Sequence, residues 1–477
     1  MTLRDLFGSE QPPVAVSALA LDDRAVAPGT VFFCVPGFTR DGHDFAATAV
    51  ERGACALVVQ RPIANGELAG VPQILVPDVR AAMAPAAAAL HGDPTASLVT
   101  AGITGTNGKT TTAYLLRALL EAGGHRTGLL GTVSSVVGGV KQPTQRTTPE
   151  AIDLQRTFAA MLAGGDTHCV MEVSSHALEL RRADAIHWAV ALFTNLSQDH
   201  LDFHVDMERY FAAKQRLFAA AEGPSVVNVD DRYGRRLADE LRRAGSVLTV
   251  GLEQGAAVRA TDVSFGPAGS DFTLDGVRLH APLPGRFNVV NVLGAIAAAR
   301  VLGVTDATIA AALPDAGHAP GRFEPVDEGQ EFAVIVDYAH TPDGLENVLR
   351  AARQLAGDGR VLAVFGAGGD RDRGKRPLMG AVAAALADRV IVTSDNPRSE
   401  DPEAIVADVL GGAGPEATVL VDRRTAIEHA VRAARPGDVV VIAGKGHEQG
   451  QELADGRKEP FDDVAVARDA LRDRVGA

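Results

Sequence analysis

The chain is short of aromatic residues, of cysteine and of positive charge, and each shortage excludes something. Aromatics make up 5% of its 477 residues and Trp188 is the one tryptophan, so the cores must be aliphatic, built from Ala, Val and Leu. The three cysteines, Cys34, Cys55 and Cys169, are far apart and lack CxxC spacing. That excludes a disulfide framework and a zinc knuckle, and it predicts three small buried thiols in a reducing compartment. Lys plus Arg total 46 against 60 Asp plus Glu, a formal charge of −14, which speaks against a nucleic-acid or membrane-surface partner. No stretch approaches the ~18 apolar residues of a membrane span. The Ala-rich segment 81–90, interrupted by Pro85, reads as a surface or domain-packing helix. Residues 1–14 contain Asp5 and no apolar run, unlike a signal peptide. A cytoplasmic protein is expected, and with no apolar oligomer seam in view, a monomer.

What is present is ordinary for a folded chain, with 46% apolar and 22% charged residues. At about 150 residues per domain the length suggests roughly three domains. Residues 1–95 alternate strand-like runs (31–35, 55–60, 73–76) with helical ones (45–52, 79–90), and His91-Gly-Asp-Pro-Thr95 supplies turn chemistry at a boundary. A second α/β unit, 96–318, opens with a strand at 97–103 and becomes β-rich over 256–287. The third, 319–477, alternates strands at 331–337, 360–366, 389–394, 418–422 and 438–443 with helices. That repetition predicts a mostly parallel, doubly wound, Rossmann-like sheet whose ligands bind beyond the strands' carboxyl ends. The loops at 337–340, 366–375, 395–398 and 444–448 are therefore the places to look for a site.

Residues 102–112 read Gly-Ile-Thr-Gly-Thr-Asn-Gly-Lys-Thr-Thr-Thr, between a strand and a helix. A glycine-rich turn there aims N–H groups at phosphate, Lys109 reaches the β- and γ-phosphates, and the Thr110 hydroxyl can ligate Mg²⁺. Ile103 stands where the strict motif has its first glycine, with Gly102 and Gly105 on either side. The context predicts an ATP site in a P-loop-like central sheet. Glu172 lies at the end of an apolar strand, 168–173, where a carboxylate beside a phosphate loop can hold magnesium. His200 and two acids follow the next strand, 190–195. On the helix 207–220 the i, i+3, i+4, i+7 progression from Met207 places Lys214 on the buried stripe. A lysine there must snorkel, pair, or react as a neutral amine with CO₂ to give an anionic carbamate.

Gly105-Thr-Asn-Gly-Lys-Thr-Thr111, Met171-Glu-Val-Ser-Ser-His176, Thr194-Asn-Leu-Ser-Gln-Asp-His-Leu-Asp202, Lys214 and Asp337-Tyr-Ala-His-Thr-Pro342 together resemble the Mur ligases, which add amino acids to the peptidoglycan precursor. The resemblance spans all three expected domains: a UDP-muramoyl-substrate domain, an ATP-binding ligase domain and an amino-acid-binding domain. It implies ATP and Mg²⁺ as cofactors, with Gly105, Thr106, Asn107, Gly108, Lys109, Thr110 and Thr111 on the phosphates. Asn288 and Asn291 are implied near adenine, and Arg322 and Asp337 approach the nucleotide. Thr110, Glu172, His200 and carbamylated Lys214 become metal ligands. Leu21 and Asp23, the latter where the family has Ser, together with Thr147, Thr148, Ser174 and Arg182, would hold UDP-N-acetylmuramoyl-L-Ala-D-Glu.

Asp395-Asn396-Pro397-Arg398 matches the family's diaminopimelate-recognition motif, and its chemistry agrees. Diaminopimelate differs from lysine by a distal carboxylate, which the Arg398 fork can grip. Asp395 and Glu448 offer acceptors for ammonium groups, Gly444 allows close backbone approach, and Arg371 is a second carboxylate partner. The implied activity is ATP-dependent addition of meso-diaminopimelate to the D-Glu γ-carboxylate through an acyl phosphate. The alternatives are a lysine-adding ligase, a folylpolyglutamate synthetase-like ligase, and an ATPase whose partner is a protein.

Overall fold

The computed structural model describes residues 1–475 apart from 65–67, 69, 145, 244, 246 and 267. The chain divides into two compact units: Met1–Gly102 with His125–Ala191 and Ala213–Gly223, and Ile103–Gly124 with Leu192–Ala212 and Pro224–Ala477. The strands Val99–Thr104 and Trp188–Phe193 begin in the first unit and end in the second.

In the first unit, Ala18–Ala20, Thr30–Phe33, Ala54–Val59 and Gln73–Leu75 form a parallel sheet in chain order. Asp78 starts the helix Val79–Leu90 by accepting the N–H groups of Arg80 (2.9 Å) and Ala81 (3.2 Å). Pro85 lies on the exposed side of that helix while Met83, Ala84, Ala86 and Ala87 are buried, so its missing donor falls toward solvent. Cys34 and Cys169 are buried as expected, but Cys55 is only half-buried, because alternation along its strand sets it at the margin of the core. Trp188 is buried against Gly102, where a Cβ would stand 2.9 Å from Trp188 Cε3 and 3.0 Å from Leu217 Cδ1. Gly102, which the sequence places beside the phosphate loop, is thus required by packing.

In the second unit, Ser225–Asn228, Val247–Gly251 and Val258–Arg259 pair in parallel. Thr261–Gly266, Gly269–Leu274 and Val277–Ala281 form a small antiparallel sheet within the stretch expected to be β-rich. The helix Arg286–Val301, alanine-rich and apolar nearly all round, is buried and packs on Lys109–Ala122. The last third is a six-stranded sheet in the spatial order Glu324–Pro325, Ala333–Asp337, Val439–Ala443, Val361–Phe365, Arg389–Val392 and Thr418–Val419. All its neighbours are parallel except the short first strand. Helices Pro342–Ala356, Lys375–Leu386 and Pro402–Ala413 cover one face, and Arg423–Ala433 and Asp463–Val475 cover the other. The α/β class and the doubly wound sheet are as the sequence predicts. The hairpin Gly450–Glu452 with Lys458–Pro460 has no signal in the sequence, because its strands are too short and polar to show an apolar period.

Candidate functional site

The phosphate loop leads from Val99–Thr104 into the helix Lys109–Ala122. Gly105 (φ 150°) and Gly108 (φ 86°) take conformations that L side chains avoid, and a Cβ on either would run into Thr194 Oγ1 or Asn291 Oδ1. The loop is fastened to the end of Trp188–Phe193. Thr106 N–H donates to the Asn195 carbonyl (2.9 Å) and Asn107 N–H to Asn195 Oδ1 (2.9 Å). Thr194 Oγ1 and Asn195 Nδ2 both donate to the Asn107 carbonyl, at 2.6 and 3.0 Å. Lys109 Nζ donates to the carbonyls of Gly105 (2.9 Å) and Thr106 (2.8 Å), curling over the loop where phosphates would lie.

A cavity of about 360 Å³ opens beside this loop, lined among others by Thr111, Asn291, Arg322, Asp337 and Tyr338. Both Asp337 oxygens accept backbone N–H groups, from Phe323 and Ala339 (each 2.7 Å), while burial pushes its carboxyl above the usual range. Asp337 thereby ties down the turn that carries Arg322, whose guanidinium lies 4.3 Å over the Tyr338 ring and donates through Nη2 to Thr110 Oγ1 (3.2 Å). Asn288 does not line this cavity. It is buried and donates to the Pro284 carbonyl (2.9 Å), one helical turn from Asn291, which does line it.

The loops beyond the C-terminal strands enclose a second cavity of about 180 Å³, bordered by Arg371, Lys375, Asp395, Arg398 and Glu448 together with His200 and His340. Arg398 is oriented by Glu452 Oε2 (3.0 Å from Nε) and the Gly369 carbonyl (2.7 Å from Nη1). Asp395 Oδ1 accepts Asn396 N–H (2.6 Å), whereas its buried Oδ2 has no hydrogen-bond partner among the described residues. Gly444 (φ 120°) is needed here, since a Cβ would stand 2.5 Å from that oxygen. Pro397 contributes its carbonyl, which leaves no room for a side chain at Gly369. Burial disfavours ionised Asp199, yet His200, His340 and Lys375 hold its carboxyl down at about 2. His340 donates from Nδ1 to the Tyr338 carbonyl (2.8 Å), and burial, with Lys375 nearby, pushes the imidazole down to about 4.

The first unit holds the remaining expected residues. Glu172 is buried and accepts Thr132 N–H (2.8 Å) and Oγ1–H (3.0 Å). Thr147 Oγ1 lies 3.1 Å from Thr132 Oγ1, and Thr148 Oγ1 donates to the Glu172 carbonyl (2.8 Å) while accepting Ser174 N–H (3.1 Å). Ser174 also caps the helix Ser175–Glu179. Arg182 pairs with Glu150 (2.8 Å), a partner the sequence did not reveal. Lys214 is 1% exposed, on the buried stripe as its spacing predicts. Leu21 is half-buried against the N-terminal core, and Asp23 opens the short 3-10 helix Asp23–Ala25. Among the described residues, no three of His, Cys, Asp and Glu converge as a ready-made metal cluster.

Three family domains match in order: the Mur ligase catalytic domain at residues 15–91, the Mur ligase middle domain at 103–299 and the Mur ligase glutamate ligase domain at 321–446. The chain belongs to the Mur ligase family. It is 46% identical over 477 residues to the UDP-N-acetylmuramoyl-L-alanyl-D-glutamate–2,6-diaminopimelate ligase of Geobacillus thermodenitrificans, covering 96% of this chain and 95% of the relative. With the ligase of the same name from Streptomyces coelicolor it shares 45% over 490 residues, covering 99% and 96%. A solved structure of a UDP-N-acetylmuramoyl-L-alanyl-D-glutamate–2,6-diaminopimelate ligase superposes with a TM-score of 0.71 at 33% identity, over 100% of this chain and 99% of that one. As a Mur ligase, the protein is an ATP-dependent amide ligase. Among the described residues, no helix is long and apolar enough to cross a membrane.

Four residues of this Mur ligase escape sequence reasoning: Asn195, Lys375, Lys445 and Arg423. Asn195 lies in a quoted motif yet shows its role only once folded. The other three are buried cations at or beside helix starts and strand ends, where a charge looks like an ordinary exposed one.

Proposed function

We propose that this ligase joins meso-2,6-diaminopimelate to the D-Glu γ-carboxylate of UDP-N-acetylmuramoyl-L-Ala-D-Glu, acting as a cytoplasmic monomer with functional domains at 1–95, 96–318 and 319–477. One observation carries the choice of amino acid. Arg398 shares a cavity with Asp395, whose buried Oδ2 has no hydrogen-bond partner among the described residues, and with Glu448. A guanidinium beside two carboxylates suits a centre that bears both a carboxylate and an ammonium. Lysine offers only the ammonium at that end, and would leave Arg398 desolvated opposite nothing.

Two reactants that both carry negative charge must first meet. Lys109, the loop N–H groups and the start of helix Lys109–Ala122 receive the triphosphate, while Arg322 and Asn291 border the nucleotide cavity. The D-Glu carboxylate oxygen attacks the γ-phosphorus, and ADP leaves. The diaminopimelate nitrogen then attacks the acyl carbon, phosphate departs and the nitrogen gives up a proton. His340, held near 4, is too weak a base to take a proton from an ammonium and serves instead as a hydrogen-bond acceptor. By the family resemblance Thr110, Glu172, His200 and carbamylated Lys214 would be the residues that hold Mg²⁺, and the hydroxyl, carboxylate and carbamate oxygens among them are the hard donors it takes. Bound there, Mg²⁺ would neutralise phosphate charge. Thr147, Thr148, Ser174 and Arg182 would hold the muramoyl-dipeptide, with Leu21 and Asp23 toward the uridine end.

The test is ADP release with UDP-muramoyl-dipeptide and a panel of amino acids. Rapid turnover with meso-diaminopimelate and little with L-lysine is expected. Faster product formation from lysine would overturn the assignment. ADP release indifferent to the muramoyl acceptor would point to the protein-partner ATPase.

A further inference from the structure

The loops following Arg389–Val392 and Val439–Ala443 meet around a buried cation that does not line the amino-acid cavity. Lys445 is 0% exposed. Its Nζ donates to Asn396 Oδ1 (2.8 Å) and to Glu448 Oε2 (3.2 Å). Asn396 Oδ1 accepts a second hydrogen bond, from Glu452 N–H (2.9 Å), and Asn396 Nδ2 donates to Glu448 Oε2 (2.8 Å). With two donors at one end of the amide and a carboxylate at the other, only one orientation of Asn396 satisfies the network. The reverse would set Nδ2 against an ammonium and an N–H.

These contacts determine which atoms the pocket presents. Glu448 Oε2 is engaged twice, which leaves Oε1. Asp395 Oδ1 is engaged by Asn396 N–H, while Oδ2 is buried and without a hydrogen-bond partner among the described residues. Arg398 uses Nε on Glu452 and Nη1 on Gly369, which leaves Nη2. We propose that Lys445 is a positioning residue for amino-acid recognition: by fixing Asn396 and Glu448 from behind, it sets the remaining carboxylate oxygens and the remaining guanidinium nitrogen to receive an ammonium beside a carboxylate. Its charge also offsets the mutual repulsion of Asp395 and Glu448 on the two loops and Glu452 at the end of the hairpin strand. The proposal rests on the diaminopimelate reading of the same pocket.

The experiment compares wild type, Lys445→Met, Asn396→Leu and the double variant in steady-state kinetics, with diaminopimelate and ATP varied in turn. Each single change is expected to raise KM for diaminopimelate roughly 10- to 100-fold, the scale of a misplaced binding group. KM for ATP should stay within about twofold and kcat within about threefold, since the lost interaction serves binding of one substrate. The double variant should be little worse than the poorer single one, because both act through Glu448. A merely structural lysine would move both KM values and the melting temperature together. That result overturns the proposal, as would an unchanged KM for diaminopimelate or effects that multiply independently. If Lys445→Met does not fold, Lys445→Gln and Asn396→Leu are judged by the same criteria. Should wild type prefer L-lysine, the diaminopimelate reading falls, and Lys445 is judged by the same split in KM for lysine.

Discussion

The phosphate loop and the amino-acid pocket lie in the same unit of this Mur ligase and solve recognition differently. Around residues 105–111, the proposed phosphate site, the main chain would do most of the binding. Glycines make the turn, Lys109 bonds loop carbonyls, and the loop is fastened to Thr194 and Asn195. In the proposed amino-acid pocket side chains would do it, delivered from strand ends far apart in sequence and held by Arg423, Lys445 and Glu400. A backbone site needs a contiguous run of small residues and therefore announces itself as a motif. A side-chain site needs only that distant loops converge, and its supports carry no local pattern.

The largest effect is expected at the backbone site. Lys109→Ala should lower kcat/KM by about 10³- to 10⁵-fold, the scale of losing a cation that stabilises phosphoryl transfer, with far-ultraviolet circular dichroism unchanged. Near-normal turnover in this variant would show that the loop N–H groups alone suffice, and would widen the contrast between the two sites.

For the side-chain site the largest effect should fall on stability. Arg423 is fully buried, paired with Asp463 (2.7 and 2.8 Å) and donating to the Ser394 and Ala443 carbonyls at the ends of the two strands that feed the pocket. Arg423→Met leaves a buried carboxylate unpaired and should cost about 3–5 kcal/mol in denaturant unfolding. Replacing both partners with apolar residues should recover much of that loss. A single-variant cost within error of zero would mean that the pocket loops hold themselves.

This contrast also accounts for what was legible in the sequence. The α/β class, the doubly wound sheet and the burial of Lys214 follow from periodicity, because each lies in a regular element, and Lys109 follows from the phosphate-loop motif. Arg398 follows from its short motif, although its hold on Glu452, 54 residues away in the hairpin, does not. Asn288 and Asn291 look alike in sequence, and only the helix phase turns one to Pro284 and the other to the cavity. Gly102 reads as part of the anion loop but answers to Trp188, 86 residues further along. Lys445 lies in a glycine-rich stretch where any lysine would look solvated.

Specificity should respond to the side-chain site alone. Arg398→Ala is expected to raise KM for diaminopimelate by roughly 10²-fold, about what losing a charge-assisted contact to a carboxylate costs, while KM for ATP stays within twofold. The preference for diaminopimelate over L-lysine should shrink by a similar factor, read by competition between the two. Equal losses for both amino acids would show that Arg398 shapes the loop without reading the distal carboxylate.

The smallest expected effect is a pH dependence confined to the same loops. Glu400 accepts from Arg376 (2.8 and 3.1 Å), pairs with Arg373 (2.8 Å) and accepts Asp370 N–H (2.6 Å), fastening the 366–375 loop to the one carrying Arg398. The Arg376 hydrogen bonds, against some desolvation, hold its carboxyl at about 2, below the ordinary 4.5. A carboxyl lowered by folding stabilises the native state fully above its unfolded value, and this contribution fades as pH falls from 4.5 toward 2. Wild type should therefore lose denaturant stability between pH 6 and pH 3 more steeply than Glu400→Gln, which has no proton to take up at that position. The phosphate loop also meets a carboxylate, since Asn107 Nδ2 donates to Asp343 Oδ2 (2.7 Å), but burial raises that carboxyl above its ordinary value, so it adds no loss of stability on acidification. Parallel slopes for Glu400→Gln and wild type would show that the acid sensitivity arises elsewhere, and that the two loops are joined by packing more than by charge.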